Sequence, residues 1–244
     1  VCGLSTEKKQ TLTTHWNNIK RWDPEHPNLY RLTMRLLSIT GDVVHEITER
    51  IGFRTIEFRP EDGIYLNGTR LLVKGTNRHC FDPETGRTIS RELSLKDALL
   101  IKQMNMNAVR SHYPPDTHFL EACDSIGLLY LNELCGWQNS YSTEIAEKLL
   151  PEMMFRDVNH PCIFIWANGN EGGWNAAVDN RFADYDPQKR HVIHPWADFN
   201  GLDTRHYPNG TDSMYRLERG HKVFMMTEFL HGLYDRGQGA GLKG

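Results

Sequence analysis

Two glutamates stand at the ends of apolar runs, and this placement indicates acid–base chemistry. Glu171 ends the run IFIWANGNE and Glu228 ends the run KVFMMTE. Two carboxylic acids that face each other across a sugar-sized gap are the groups that hydrolysis of a glycosidic bond requires. One must be protonated to serve the leaving oxygen, and the other must be charged to attack the anomeric carbon. Gly172 and Gly173 beside Glu171 leave room for a substrate and permit unusual backbone angles.

Seven apolar runs in the chain are predicted to be strands: residues 71–79, 108–113, 128–134, 163–170, 192–196, 204–208 and 223–228. Hydrogen-bonding or aromatic residues end each run, in segments 76–79, 110–114, 132–133, 168–171, 194–196, 205–208 and 227–231. If the strands form a barrel, the polar segments collect at one rim. A single strand-end acid or histidine has ordinary structural explanations, whereas seven polar ends on one rim favour a functional site.

Helical segments lie between these runs. A capping-box pattern from Ser94 to Asp97 is predicted to open one helix, and Gly127 is predicted to end another. Alternating strands and helices predict a parallel sheet with crossover helices. The spacing favours an α/β fold, a (β/α)8 TIM barrel whose last βα unit is missing. A doubly wound open sheet is the alternative.

The first sixty residues follow a different pattern. In NLYRLTMRLLSI, apolar and polar residues alternate with the period of a half-buried strand, and VVHEITERIGFRTIEF is also strand-like. Residues 1–60 are therefore interpreted as the closing strands of a β-sandwich domain, and residues 61–244 as the catalytic barrel. Asn67-Gly68 predicts a type I′ hairpin turn at the start of the barrel region.

Composition excludes several classes of function. The chain has 244 residues, 39% of them hydrophobic, with a net charge of −3 and a mean hydropathy of −0.56, which is typical of a globular domain. We expect no nucleic-acid partner, because no basic stripe occurs, and no membrane span, because no apolar run is long enough. The compartment is unknown: periplasmic or extracellular if the full-length protein carries a leader, cytoplasmic otherwise.

Cysteine and histidine spacing argues against a metal centre. The five cysteines form no CxxC pair and are predicted to be reduced, buried thiols. The twelve histidines include no HExxH or HxH pattern, and no phosphate-binding loop or GxSxG motif is found. We therefore predict no metal and no cofactor.

Several segments resemble glycoside hydrolase family 2, the β-galactosidase and β-glucuronidase group. RDVNHPCIFIWANGNEGG is similar to the acid/base signature of that family, LNGTRLLVKGTNRH to the start of its barrel, and MNMNAVRSHYPPD to its second strand. WDPEHPNLYRLTMRL and ERIGFRTIEF resemble its immunoglobulin-like domain. The similarity runs through nearly the whole chain in the order of the family.

The resemblance implies roles for particular residues. Glu171 would be the general acid/base, Glu228 the nucleophile, and Asn170 a hydrogen-bond partner of the sugar 2-hydroxyl. Tyr207 would donate to the nucleophile and keep it ionised. Further substrate-binding candidates are His79, His112, Tyr207, His231 and Trp196, and Trp137 and Trp174 are further rings that could stack on a sugar.

The chain also departs from the family pattern. Segment NELCGWQNS lacks the Glu-x-His pair that holds magnesium in the best-known β-galactosidases, so no metal is assigned. The Asn-x-Lys element of glucuronidases is not found before Gly244. Too few residues follow Glu228 to close a barrel, so we expect a piece of a longer protein that is inactive or poorly folded alone.

The leading interpretation is a retaining exo-β-glycosidase, a β-galactosidase first, acting on the end of an oligo- or polysaccharide through a covalent glycosyl-enzyme. The alternatives are a β-glucuronidase or another sugar specificity, and a non-catalytic carbohydrate-binding fragment. A metal-dependent hydrolase is disfavoured by the histidine spacing. An oligomer is compatible with the sequence.

Overall fold

The structure is a computed structural model that describes residues 11–229, without the side chains of 217–219. Its strands are β1 (Tyr30–Leu37), β2 (Val43–Ile51), β3 (Ile56–Arg59), β4 (Gly63–Leu66), β5 (Thr69–Leu71), β6 (Gly75–Asn77), β7 (Ala108–Arg110), β8 (Leu129–Trp137), β9 (Ile163–Asn170), β10 (Val192–Ile193), β11 (Asp198–Phe199), β12 (Leu202–His206) and β13 (Val223–Glu228). Its helices are α1 (Arg91–Gln103), α2 (Thr117–Ile126), α3 (Thr143–Asp157), α4 (Phe182–Tyr185) and α5 (Gly210–Arg219), with a 3₁₀ turn at Ala176–Arg181.

The N-terminal part forms two small antiparallel sheets. Strands β1 and β2 pair from Tyr30 opposite Ile51, and most of their side chains are exposed. Strands β3, β4 and β5 form the second sheet. Its β4–β5 turn is the predicted Asn67-Gly68 hairpin, with φ of 53° and 84° at the two residues. Positive φ at both positions is what a type I′ turn requires.

The central sheet is parallel, and its strands lie in the order β6, β7, β8, β9, β10. Helices α1, α2 and α3 connect the first four strands. Neighbours in the sheet are thus neighbours in sequence, which is the arrangement of a (β/α) barrel. A doubly wound sheet would reverse its strand order at an internal switch point, so the open-sheet alternative is wrong.

A second sheet continues the alternation of parallel strands and helices along the chain. Strands β12 and β13 are parallel and joined through α5, while β11 pairs antiparallel with β12. With β6 to β10 these two strands are the seven predicted barrel strands, so the predicted α/β fold class is confirmed.

The predicted ends of individual helices and strands agree with the structure in some places and differ in others. Gly127 ends α2 in the left-handed conformation, with φ of 81°, as predicted. The predicted helix start at Ser94 was wrong, because α1 begins at Arg91 and Ser90 caps it by accepting from the Leu93 N–H at 3.1 Å. Ser94 lies buried within the helix. The predicted strand 71–79 is divided between β5 and β6.

The core fills the space between the parallel sheet and its helices. Strand β9 is buried along its entire length, as expected for a strand covered on both faces. Phe119, Leu120 and Cys123 of α2 and Leu150 and Met154 of α3 pack into the same core. No helix within 11–229 has the length and apolar character to cross a membrane.

Candidate active site

Glu171 and Glu228 lie at the carboxyl ends of β9 and β13, on the rim where the strand-end residues collect. Glu171 follows Asn170, the last residue of β9, and has φ of 48°. Glu228 is the last residue of β13 and is 7% exposed. One carboxylate oxygen of each residue and a ring nitrogen of His206 all lie within 4.8 Å of one another. The two predicted acids therefore face each other in one cluster.

Arg110, at the end of β7, donates hydrogen bonds to side chains from three other strands, β8, β9 and β13. Its Nη1 donates to Glu228 Oε1 at 2.8 Å, and its Nη2 donates to Asn170 Oδ1 at 2.6 Å. The same guanidinium donates from Nε and Nη2 to Glu133 Oε2, at 3.2 and 2.8 Å. Arg110 and Glu133 are buried, so these hydrogen bonds offset a desolvation penalty of several kcal/mol per ion.

Glu228 is held in its charged form. Tyr207 donates its hydroxyl to Glu228 Oε2. Burial alone would raise the pKa of Glu228, but the hydrogen bond from Tyr207 and the electrostatic effects of His206 and Arg110 outweigh it and lower that pKa. Burial and the bond to Glu228 together raise the pKa of Tyr207, so the phenol keeps its proton. This contact is the one predicted for Tyr207.

Glu171 accepts hydrogen bonds on both oxygens. Trp137 Nε1 donates to Oε2 at 2.7 Å, and His206 Nδ1 lies 3.2 Å from Oε1. Burial raises the pKa of Glu171, as does the charge of Glu228, yet the hydrogen bonds from Trp137 and His206 lower it overall. The hydrogen bonds of this arrangement thus lower the pKa of both acids, and the protonation of one of them for catalysis stays a prediction.

Two histidines line the other side of Glu228. His112 Nε2 lies 3.5 Å from Glu228 Oε1, and His112 Nδ1 lies 3.6 Å from Glu133 Oε1. The ring of His79 lies 5.2 Å from that of His112 and is tilted by 42° relative to it, and His79 Nδ1 contacts the Tyr113 hydroxyl at 3.2 Å. Burial, and then the neighbouring His112 and Arg87, lower the pKa of His79.

The remaining predicted residues differ in their placement. Asn170 is 2% exposed and its Oδ1 accepts a hydrogen bond from Arg110, so its amide nitrogen is the group left to donate to a ligand. Trp196 stacks on His206 at 5.4 Å, and Trp174 stacks on His194 at 4.8 Å. His231 lies outside the described residues.

A cavity of about 1250 Å³ opens from the Glu228 side of the site. Polar groups line its upper end, among them His79, Arg110, His112 and Tyr207. Much of its remaining lining is apolar and comes from β4 to β9 and β13, with Val109, Leu131 and Phe164 among the residues. The polar part of the lining offers hydrogen-bond donors and acceptors to a ligand, and the buried apolar side chains form the rest of the wall.

Two groups of side chains in the described part of the chain have the composition of a metal site. One is Glu171, His206 and Glu228, and the other is Asp124, His160 and Cys162. In the second group, both oxygens of Asp124 already make hydrogen bonds, one with His160 Nδ1 at 2.6 Å and one with the Cys162 N–H at 3.0 Å. Burial also raises the pKa of the Cys162 thiol, which opposes the thiolate that a metal needs. We assign no metal to either group.

Sequence reasoning did not assign roles to Arg110, Glu133 and His206. All three lie in predicted strand-end segments, 110–114, 132–133 and 205–208, so the sequence indicates their position. It does not indicate their mutual contacts, because they depend on which strands are adjacent across the barrel. Arg110 and Glu133 interrupt or end predicted apolar runs. Charged residues are rarely buried unless they are paired, so this placement was the signal that could have found them.

Comparisons with known proteins agree with this architecture. Residues 58–192 match the profile described as glycosyl hydrolases family 2, TIM barrel domain, and residues 2–54 match that described as glycosyl hydrolases family 2. The barrel match covers more than half of the chain. The chain therefore belongs to glycosyl hydrolase family 2.

Individual relatives are similar over most of the chain. A Thermoanaerobacter pseudethanolicus beta-galactosidase is 33% identical over 222 residues, 89% of this chain and 28% of that protein. A Formosa agariphila protein provisionally named as a beta-glucuronidase is 40% identical over 188 residues, 74% of this chain and 23% of that protein. The crystal structure of a Bacteroides vulgatus beta-glycosidase superposes with a TM-score of 0.75 at 26% identity, covering 85% of this chain and 29% of that one. The chain thus spans about a quarter of the length of the curated relatives it matches.

Proposed function

We propose that this chain carries the catalytic acids of a retaining exo-β-glycosidase that removes a terminal β-linked sugar, most simply a β-galactoside. Glu228 attacks the anomeric carbon and forms a covalent glycosyl-enzyme, while Glu171 protonates the leaving oxygen. Glu171 then takes a proton from water, which attacks the intermediate and releases the sugar with its configuration retained. The carbohydrate end of an oligo- or polysaccharide is the substrate class.

The separation of the two acids is the observation that carries the proposal. Retaining enzymes hold their two carboxyl groups about 5–5.5 Å apart, whereas inverting enzymes leave about 6.5–9.5 Å for a water molecule. Oxygens of Glu171 and Glu228 that lie within 4.8 Å of each other favour the retaining arrangement, because no water fits between the nucleophile and the sugar.

The electrostatics of the site support separate roles for the acids. Tyr207 and Arg110 both donate to Glu228, and these bonds stabilise the anion that must attack. The charge of Glu228 raises the pKa of Glu171, and substrate entry raises it further by removing water. Formation of the glycosyl-enzyme neutralises Glu228, so the pKa of Glu171 falls just when it must act as a base.

The net charge of the site suits the transition state. Glu133, Glu171 and Glu228 are three carboxylates, and Arg110 is the one guanidinium that bridges two of them. The balance is negative within a largely buried environment. A fixed negative potential stabilises the oxocarbenium-like transition state more than the neutral substrate.

A mechanism-based label tests the proposal directly. An activated 2-deoxy-2-fluoro-β-glycoside should inactivate the longest form of the protein that the gene encodes. Mass spectrometry should then find the fluorosugar on the peptide that contains Glu228. A label on Glu171, or inactivation without any label, contradicts the assignment of the nucleophile.

A β-glucuronidase is the second candidate, and Arg87 is the observation that favours it. The Arg87 guanidinium lies over the Tyr113 ring at 4.4 Å, beside His79, and makes no ion pair with any residue in 11–229. A free cation at this rim could hold the carboxylate of a uronic acid. Comparing kcat/KM for p-nitrophenyl β-galactoside and β-glucuronide separates the candidates. Arg87→Met should lower only the glucuronide value if Arg87 reads that carboxylate.

A further inference from the structure

Trp137 contacts the predicted acid Glu171 and is also largely exposed to solvent. Its indole N–H donates a hydrogen bond to Glu171 Oε2 at 2.7 Å, yet the residue is 69% exposed. Within residues 11–229, no aromatic ring or cation stacks on it, whereas Trp174 and Trp196 are stacked on histidines. A large bare aromatic face beside a working carboxylate is the kind of exposed apolar surface that indicates a binding site.

The backbone fixes the position of this ring. Trp137 lies opposite Asn170 in the β8–β9 ladder, and the Gln138 N–H donates to the Asn170 carbonyl at 3.1 Å. Gly136 and Gly173 let the two strand-end segments touch, since a Cβ on either would overlap the backbone of the other segment. The indole is thus held against Glu171 by main-chain contacts.

The chemistry of the leaving group places it next to this ring. Glu171 gives its proton to the oxygen that leaves, so the group attached to that oxygen passes beside the Glu171 carboxyl. One oxygen of Glu171 faces His206, which also lies 3.7 Å from Glu228 Oε2, and the other oxygen faces the exposed Trp137. A ring-bearing leaving group that emerges past Glu171 therefore meets the face of the indole.

We propose that Trp137 forms the leaving-group subsite of this enzyme and selects substrates whose leaving group carries an aryl or pyranose ring. The inference rests on the proposed function, because it takes Glu171 as the acid. The ring binds by stacking on the indole, and the indole N–H keeps the acid aligned with the bond to be broken. Stacking of this kind is worth about 0.5–1.5 kcal/mol beyond area burial.

The test compares benzyl and methyl β-glycosides of the preferred sugar, whose leaving alcohols have similar acidity. Trp137→Ala should lower the ratio of kcat/KM for the benzyl over the methyl glycoside by about three- to tenfold, the size of one stacking contact. Trp137→Phe keeps a ring and should preserve that ratio to within about twofold. Because Phe lacks the donor to the ionised acid, the pKa of Glu171 should rise and the basic limb of kcat/KM should move to higher pH for both substrates.

Phe155→Ala is the matched control, since Phe155 is an equally exposed ring, at 71%, on α3. It should leave the ratio unchanged. A ratio that Trp137→Ala does not change overturns the subsite, even if hydrolysis itself proceeds as proposed.

A binding experiment separates failure of the subsite from failure of the function. Benzyl and methyl 1-thio-β-glycosides of galactose and of glucuronic acid are titrated calorimetrically into wild-type protein and Trp137→Ala. Tighter binding of the benzyl compound that is lost in Trp137→Ala supports the subsite, even if wild-type protein cleaves no glycoside and the proposed function falls. Equal binding of the benzyl and methyl compounds, or no binding of either, overturns the subsite.

Discussion

Two residues, Arg110 and Tyr207, keep Glu228 in its charged form. Each donates a hydrogen bond to a different oxygen of that carboxylate, so a nucleophile with a lowered pKa does not depend on one contact. Hydrogen bonds to charged groups contribute about 1.5–3 kcal/mol each. The same two donors stabilise the Glu228 anion in the free protein. Their hydrogen bonds weaken when Glu228 loses its charge on forming the glycosyl bond.

Tyr207→Phe isolates one of these donors. Loss of the hydroxyl destabilises ionised Glu228, so its pKa should rise and the acidic limb of the kcat/KM profile should move to higher pH. The value of kcat/KM at the optimum should fall about ten- to hundredfold, which corresponds to the loss of one charged hydrogen bond. Tyr113→Phe is the control, because that hydroxyl contacts His79 and the Cys80 N–H. An unmoved acidic limb in Tyr207→Phe would show that the tyrosine does not control the nucleophile.

The pairing of strands β8 and β9 brings Trp137 and Glu171 together. Both strand ends carry glycines at the contact, and Gln138 and Glu171 adopt φ of 61° and 48°. Left-handed backbone at a non-glycine residue costs of order 1 kcal/mol or more. The neighbouring ladder hydrogen bonds offset that strain, so the geometry of the site depends on close main-chain packing.

Gly173→Ala should disrupt this packing. The new Cβ would overlap the Gly136 carbonyl carbon and the Trp137 nitrogen, so one segment must move and carry its side chain away. We expect a loss of about 1–3 kcal/mol in the free energy of unfolding, as for other overpacked sites, together with at least a hundredfold loss of kcat/KM.

Gly210→Ala is the control for that substitution. Nothing lies within 4 Å of a Cβ at Gly210, which begins α5, so stability and activity should be unchanged or slightly improved. Chemical denaturation and initial rates measure both. Full activity in Gly173→Ala would show that the two segments can separate without harm.

Sequence patterns predicted which elements exist more reliably than where they begin. Strand β9 was evident because a buried strand leaves an uninterrupted apolar run, and Gly127 was evident because a left-handed helix end favours glycine. The start of α1 was missed because Ser90 and Ser94 both satisfy cap chemistry, and only burial distinguishes them. The Arg110 network was missed because side-chain contacts across a barrel join residues more than twenty positions apart.

At the scale of the whole molecule, the N-terminal segment is attached to the underside of the barrel. Arg54 donates to the carbonyls of Pro161 at 2.6 Å and of Ile163, and to Gln188 Oε1 at 3.1 Å. The Trp22 indole nitrogen donates to the Asp124 carbonyl at 2.8 Å. The Arg54 contacts join the loop before β3 to the start of β9, and the Trp22 contact joins the segment before β1 to α2.

Arg54→Met should therefore weaken the barrel although it lies outside it. The carbonyls of Pro161 and Ile163 would each lose a donor, and we expect a loss of about 1–3 kcal/mol in the free energy of unfolding. Arg59→Met is the control, because Arg59 pairs with the exposed Glu57 and such surface pairs contribute about 1 kcal/mol or less. Thermal unfolding followed by circular dichroism measures both. Equal melting temperatures would show that the two parts are not coupled through Arg54.

The roles of the two acids are tested most directly by azide rescue, with the anomeric configuration of the product determined by NMR. Glu228→Ala should lose turnover of an aryl β-glycoside and regain it with azide, giving the α-glycosyl azide. Glu171→Ala should give the β-glycosyl azide, because there the azide attacks an intact glycosyl-enzyme. Full activity of Glu228→Ala without azide, or the same anomer from both variants, would contradict the account.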